Sequence, residues 1–312
     1  MTSKQTDIVM SIRMCTTIVS LSLTVLAIWM MKSFKMTSGQ YRLQLIVFAC
    51  TVLECLVNLM SFLTYNHDGS FSGLCYAQGL LMQFAQVALF CWSAVFAFNI
   101  YMVIVRRRLD VDKYNTWYHG ICWTVTGVCT IIPNFTFAYG KTTVWCWISK
   151  EASFGNVYRI STFFIPFYAA WIVILFVCFS IVYRLLNSNS HHGSDEHLRT
   201  SNLVRRFYAY PIVFLVCYIP ATVNRINNWV TGNDIYALFI IHVLASPSLG
   251  TLNAIIFFSN MEVRKEIGSI VVRYCCFSFG GTPIPPKESL VDELPGRVIE
   301  HSEDDILDEV LV

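Results

Sequence analysis

Charged side chains are scarce in this chain: 13% of its 312 residues are charged and 55% are hydrophobic. An average soluble domain carries about 25% charge, so a soluble globular class is excluded. No long polar domain, low-complexity tract or 20–50-residue repeat interrupts the apolar pattern. Catalytic signatures are missing too. There is no His-Glu-x-x-His, no Cys-x-x-Cys, no Gly-x-Ser-x-Gly and no phosphate-binding Walker loop, which removes the common hydrolase and nucleotidase readings. The last apolar run, 235–259, has no lysine, so a retinal Schiff base is excluded. His191 and His192 sit in a polar stretch without further ligands and suggest no metal. No cofactor and no nucleic-acid partner is implied. Cysteine is abundant, but Cys15, Cys50, Cys55, Cys91, Cys122, Cys129, Cys178 and Cys217 fall inside apolar runs. There they read as small buried residues rather than as a secreted disulfide scaffold.

What is present is a series of runs long enough to cross a ~30 Å hydrocarbon core, which takes about 20 helical residues. The most informative covers 75–108. It is uncharged from Tyr76 to Val105 and closes with Arg106, Arg107 and Arg108. Gly79, Gln83, Gln86, Ser93, Ala97 and Tyr101 recur along it at helical spacing. Polar groups facing lipid are costly, so this stripe is expected to face other helices. We place it third among seven spans, the others being 14–31, 43–65, 118–139, 160–183, 207–230 and 235–259. The first run is too long for a signal peptide and lacks a small-residue cleavage site. Pro133, Pro166, Pro211, Pro220 and Pro247 fall inside spans and mark expected kinks.

The expectation is an all-α polytopic membrane protein, a seven-transmembrane helix bundle with an amphipathic eighth helix. Residues 1–7 are expected to form a short extracellular N-terminus, 8–260 the bundle, 261–276 the eighth helix and 277–312 an acidic, disordered cytoplasmic tail. Lys and Arg crowd the loops holding Lys32, Lys35, Arg42, Arg106, Arg107 and Arg108. This bias puts the N-terminus outside the plasma membrane and the C-terminus in the cytoplasm. In 261–276, Val263, Ile267, Ile270, Val271 and Tyr274 share one face, and Arg264, Lys265 and Arg273 are available to headgroups. Cys275 and Cys276 at its end are expected palmitoylation sites.

Cys75 and Cys146 are the two cysteines expected on the outer side, where an oxidising compartment favours a bridge; two free thiols are the alternative. Glu54 is the only carboxylate in mid-membrane. It reads as an ion or proton site, the partner of a buried cation, a neutral hydrogen-bonded acid or a loosely placed residue. We adopt the hydrogen-bonding role, with Asn253 or Ser246 as partner. Arg225 lies among Asn224, Asn227 and Asn228 near the outer end of the sixth span. Its forked guanidinium suits a carboxylate or phosphate; an interfacial anchor is the plain alternative. His242 either touches a ligand or is a satisfied interior histidine. Asn134-Phe-Thr136 is a glycosylation sequon too close to the membrane to favour modification.

Seven spans, an outside N-terminus, a bridge to the third span and an eighth helix together resemble a G-protein-coupled receptor. The rhodopsin-like signatures are missing: the third span ends IYMVIVRRRLD without Asp-Arg-Tyr, and the seventh lacks Asn-Pro-x-x-Tyr. Instead VWCWI (144–148), YPIVFLVCYIPATVNRI (210–226) and LGTLNAIIFFSN (249–260) resemble the cyclic AMP receptor family of slime moulds and its relatives. The likeness covers roughly 8–276. It implies a receptor rather than an enzyme, binding cyclic AMP or another anionic small molecule within the bundle. Arg225, Asn224, Asn228, His242, Arg159, Trp147, Gln83 and Gln86 are the implied ligand contacts, with Lys150 and Arg13 as further cations.

The resemblance also implies that the fifth and sixth spans move to open a cytoplasmic cleft for a heterotrimeric G protein. Pro211, Pro220 and Pro247 would be pivots, and Glu54 and Asn253 conformational residues. Arg106, Arg107, Arg108, Arg205 and Arg206 would line that cleft; the simpler reading makes them topology determinants and headgroup contacts. Arrestin, receptor kinases and membrane lipid are further implied partners. A transporter or channel using Glu54 is opposed by the lack of inverted repeats. A regulatory receptor that does not couple to G protein also competes.

Overall fold

The computed structural model describes residues 3–36, 38–66, 72–108, 111–142, 144–187, 207–231, 235–260 and 263–269. The first three expected spans are α1 (Ser3–Ser33), α2 (Gly39–Asn66) and α3 (Ser72–Ile104). α1 begins well before residue 14. Its polar start is helical, which moves Arg13 from a membrane-flanking end into a helix interior. α3 has 33 residues, about 50 Å at 1.5 Å per residue, so it crosses a bilayer tilted. It packs against α2 and the later helices and touches both strands of the short sheet described below. Met82, Ala85, Val87, Leu89, Phe90 and Trp92 are buried on several sides of it, as befits a central helix. Gly79, Gln83, Ser93 and Ala97 of the expected polar stripe are buried among neighbours.

α4 (Asn115–Asn134) ends five residues before the expected boundary. Phe137 adopts the left-handed conformation (φ 51°). Its N–H bonds Asn134 O at 3.1 Å, and the Ala138 N–H bonds Pro133 O at 3.1 Å. This pair of reverse bonds is a Schellman cap, with phenylalanine where glycine is usual. The chain then enters β1 (Tyr139–Lys141), which pairs antiparallel with β2 (Cys146–Ile148), Gly140 lying opposite Trp147.

α5 covers 155–187: a turn Gly155–Tyr158, a π-helical stretch Arg159–Phe164 and an α-helix Ile165–Asn187. α6 (Ala209–Thr231) contains Pro220. Pro211 lies in its first turn, where a missing N–H costs nothing, so the expected pivot at Pro211 is corrected. The seventh span is two helices, α7 (Tyr236–Ala245) and α8 (Leu249–Ser259), bent by 40° at the break that holds Pro247.

Among the described residues five helices are long and apolar enough to cross a membrane, and the bent α7–α8 pair makes a sixth when taken as one span. α4 is the exception among the seven expected spans. At 20 residues it reaches about 30 Å, but it carries a polar face. Thr126 and Thr130 are buried, while Trp117, Ile121, Val128 and Ile131 point outward at helical spacing. A mean over all faces hides such a lipid-facing stripe. The architecture is an all-α polytopic membrane bundle. The chain divides into compact units at Phe257/Phe258. In the second unit residues 263–269 are helical, within the expected 261–276 segment. Cys275, Cys276 and the tail lie outside the described residues.

Gly250 in α8 sits where three helices meet. A Cβ there would collide with Ser20 Oγ on α1 and come within 2.7 Å of Thr24 Oγ1 on α1 and Thr51 Cγ2 on α2. Nothing lies within 4 Å of a Cβ built on Gly120 in α4. Helix propensity alone favours Gly→Ala by up to about 1 kcal/mol, whereas overpacking costs about 1–3 kcal/mol. Gly250→Ala is therefore expected to lower the melting temperature and Gly120→Ala to hold or raise it, measured on purified protein. A stabilised Gly250→Ala would refute the close packing.

Candidate ligand-binding site

The β1–β2 hairpin lies across one end of the bundle, tied to the first turn of α3 by the Cys75–Cys146 disulfide (Cα–Cα 5.3 Å). Gly79 lets it approach: a Cβ there would be 3.2 Å from Tyr139 Cβ and 3.4 Å from Trp147 Cα. Val57, Met82, Tyr139, Trp147, Ile148 and Phe164 form the apolar cluster beneath the hairpin. The Tyr139 hydroxyl donates to Thr130 O at 2.7 Å. Burial, with Tyr76 beside it, pushes this phenol above its ordinary pKa and keeps it a donor. Tyr76 in turn donates to Asn134 Oδ1, which engages the sequon side chain in the fold.

Gln83 occupies the centre of this end. Its amide nitrogen donates to Thr162 O at 2.9 Å and reaches Cys129 O at 3.4 Å; its Oε1 accepts the Trp147 indole N–H at 2.8 Å. Thr162 and Cys129 lie four residues before Pro166 and Pro133. Their carbonyls are therefore the ones that the missing proline N–H groups leave without a helical partner. One side chain satisfies both helices and orients Trp147. Gln83 lines none of the cavities below, so its expected ligand contact is corrected to a positioning role.

Arg159 is 92% buried. It donates from Nε (2.8 Å) and Nη2 to Ile148 O, with its Cζ 5.0 Å from the Trp147 ring centre. Arg13 donates to Asn58 and lies over the Trp145 ring at 4.0 Å. Trp145 also stacks on Phe239 of α7, at 6.1 Å and 6°.

These residues surround two adjoining cavities. Among the described residues, a vestibule of about 350 Å3 is lined by Lys141, Lys150, Arg159 and Arg225 against one carboxylate, Glu151. Trp145, Trp147 and Arg225 also border a chamber of about 70 Å3 that includes Arg13, Gln86 and His242. Phe90, Phe163, Phe167 and Tyr218 make the aromatic wall of the chamber, Phe90 and Tyr218 meeting edge to face at 5.4 Å.

The structure thus brings Arg225, Asn224, Asn228, Arg159 and Trp147 to the vestibule, and Arg225, Trp147, His242 and Gln86 to the chamber. Asn224 is fully buried, and neither of its amide atoms has a partner; His242 Nδ1 and Tyr218 Oη are likewise unpartnered. Glu54 accepts from Gln86 at 3.3 Å, rather than from the expected Asn253 or Ser246. Asn253, with Gln44 and Ser93, instead lines a small, mainly apolar cavity farther from the hairpin. Trp145 was readable in VWCWI but not singled out, and Arg13 was counted only as a reserve cation because α1 was expected to start after it.

At the opposite end Arg106, Arg107 and Arg108 are exposed beyond α3, and Arg108 donates to the Tyr114 hydroxyl at 3.1 Å. Arg205 and Arg206 lie outside the described residues. Among the described residues no cluster of His, Cys, Asp and Glu fits a metal.

Each buried polar group left without a partner costs about 1–3 kcal/mol. Gln83→Leu leaves three, namely the Trp147 indole and two carbonyls, whereas Gln86→Leu leaves one carboxylate contact at 3.3 Å. Gln83→Leu is expected to lower the melting temperature more than Gln86→Leu; equal losses would remove the bridging role.

The model of the slime mold cyclic AMP receptor family matches residues 1–283. Cyclic AMP receptor 4 of Dictyostelium discoideum is 32% identical over 200 residues, which are 62% of this chain and 43% of that protein. Cyclic AMP receptor 1 of the same organism is 31% identical over 194 residues, 60% of this chain and 46% of that one. G-protein coupled receptor 1 of Arabidopsis thaliana is 26% identical over 217 residues, 67% of this chain and 66% of that one. The chain spans under half the length of the two Dictyostelium receptors and about two thirds of the Arabidopsis protein. With a family match over almost the whole bundle and helices apolar enough to cross a membrane many times, the chain belongs to the slime mold cyclic AMP receptor family of multi-pass membrane receptors.

Proposed function

We propose that the protein is a G-protein-coupled receptor of the plasma membrane whose hairpin end faces outward and binds a small anionic ligand. The observation that carries this reading is the vestibule, where the described residues set four cationic side chains against one carboxylate. Low-dielectric walls lined by one sign of charge concentrate counter-ions. Its volume, about 350 Å3, lies within the range of small-molecule sites. The names of the relatives make cyclic AMP the first candidate: its cyclic phosphate suits Arg225 and Arg159, and its purine suits the tryptophan faces. Asn224 has an unused donor and an unused acceptor for a polar edge of such a ligand.

Arg225 borders both cavities, so a ligand held there touches α6 directly. An agonist activates only by binding the open state more tightly than the closed one. The Pro220 and Pro247 segments are the proposed pivots, and Glu54–Gln86 the buried link between α2 and α3. At the arginine end, Arg106, Arg107 and Arg108, with Arg205 and Arg206, are the proposed contacts of a heterotrimeric G protein. The Lys and Arg bias toward that end supports a cytoplasmic placement.

The test is nucleotide exchange on co-expressed Gα in membranes carrying the protein, with cyclic AMP and related anionic nucleotides added. A charge-assisted hydrogen bond is worth about 1.5–3 kcal/mol, so Arg225→Gln is expected to shift agonist potency by about ten- to a hundredfold. Unchanged potency at equal surface level would remove Arg225 as the anion partner, and silence with every nucleotide would remove coupling.

A further inference from the structure

A further cavity, of about 280 Å3, lies between the first turns of α5 and the last turns of α6. Asn156, Ile160 and Phe164 line it together with five residues that also line the vestibule, Trp147, Lys150, Arg159, Arg225 and Asn228. Two features distinguish it from a side pocket of the vestibule. Asn156 and Ile160, one turn apart, line the cavity and are also exposed on the outside of the bundle. The cavity therefore reaches the surface that faces lipid. Farther along α5, Ile165, Ile172, Phe176 and Phe179 are exposed apolar side chains suited to acyl chains.

Depth identifies what meets that opening. The apolar helix Gly155–Arg184 has 30 residues, about 45 Å at 1.5 Å per residue. That is the thickness of a bilayer with both headgroup layers, against ~30 Å for hydrocarbon alone. Asn156–Ile160 then lies at headgroup level in the hairpin-end leaflet. A snorkelling arginine at that level would run its stem outward to water. Arg159 does the opposite: it is buried and held by Ile148 O and the Trp147 face. The π-helical stretch starting at Arg159 makes this possible by directing Arg159 inward while the next residue, Ile160, stays outside. Such insertions are rare and gather at functional sites. The corner is fixed by Phe154 in the left-handed conformation (φ 59°) and by Gly155 packed on the Ser149 carbonyl.

We propose that this cavity binds the phosphate of an anionic phospholipid entering from the bilayer between α5 and α6, and that the lipid shares Arg159 and Arg225 with the vestibule ligand. The second half of this statement rests on the proposed receptor reading. A phosphate group is the shared chemistry; its sources are a lipid headgroup or a soluble ligand. Commitment to the lipid follows from the apolar mouth at Ile160 and its depth.

The experiment is native mass spectrometry of the full-length protein released from nanodiscs of phosphatidylcholine doped with phosphatidylglycerol. The wild type is expected to retain one phosphatidylglycerol over phosphatidylcholine by about tenfold or more, the scale of a charge-assisted contact. Ile160→Trp, which fills the mouth from outside, and Lys150→Gln are expected to reduce that preference while keeping the wild-type melting temperature. Adding cyclic AMP or inorganic phosphate should displace the lipid. No preference between the two lipids overturns the proposal. So does a preference untouched by both variants, or phosphate binding without lipid retention. The assay uses neither G protein nor agonist activity, so its failure is separable from failure of nucleotide exchange.

Discussion

Three elements converge on the side-chain amide of Gln83, and the hairpin end depends on that convergence. Pro133 and Pro166 each withdraw a backbone donor from a helix, in α4 and α5, and leave a carbonyl facing α3. In lipid no water repairs such a loss, so the repair must come from a neighbouring side chain. Gln83 supplies both donors and uses its remaining oxygen on the Trp147 indole. The tryptophan is thereby fixed in orientation, and with it the face on which the Arg159 guanidinium rests. The Cys75–Cys146 bridge anchors the adjoining residue of the hairpin to the same helix. Covalent and hydrogen-bonded ties thus converge on one short strand, β2, which forms the wall between vestibule and chamber.

The electrostatics follow from this frame. Buried cations are expensive unless hydrogen-bonded, and Arg159 and Arg13 are each held by a hydrogen bond and an aromatic face. Arg159 has a backbone carbonyl and Trp147; Arg13 has Asn58 and Trp145. Arg159 is held without a neighbouring carboxylate among the described residues, whereas Arg13 also lies within the field of Glu54. Anion recognition in the vestibule and in the α5–α6 cavity are two readings of the same cations, one approached from water and one from the bilayer.

The apolar runs, the central third span and the Cys75–Cys146 pairing were legible in the sequence, because each rests on composition or compartment. The hairpin was not. Its strands are three residues each, and YGK and CWI carry no periodicity that a short window resolves. The end of α4 was hidden because the left-handed cap falls on Phe137, a residue with no preference for that conformation. α1 was placed too late because the chain's first residues are polar, and this left Arg13 among the further cations rather than the named ligand contacts. Gln83 was read as a ligand contact because polarity inside a membrane suggests function. The competing demand came from two prolines distant in sequence, and only the packing of α4 and α5 on α3 brings those carbonyls to it.

The central claim is that anionic ligands bind beneath the hairpin, among Lys150, Arg159 and Arg225. The most direct measurement is the reaction rate of an Asn228→Cys thiol with a soluble alkylating reagent, in nanodiscs, with and without cyclic AMP and other phosphate-bearing nucleotides. Asn228 lines the vestibule without being fully buried, so bound ligand should shield it. Slower labelling by any nucleotide that stimulates Gα exchange is the predicted result. Undiminished labelling under such a nucleotide would place the ligand elsewhere and contradict the account.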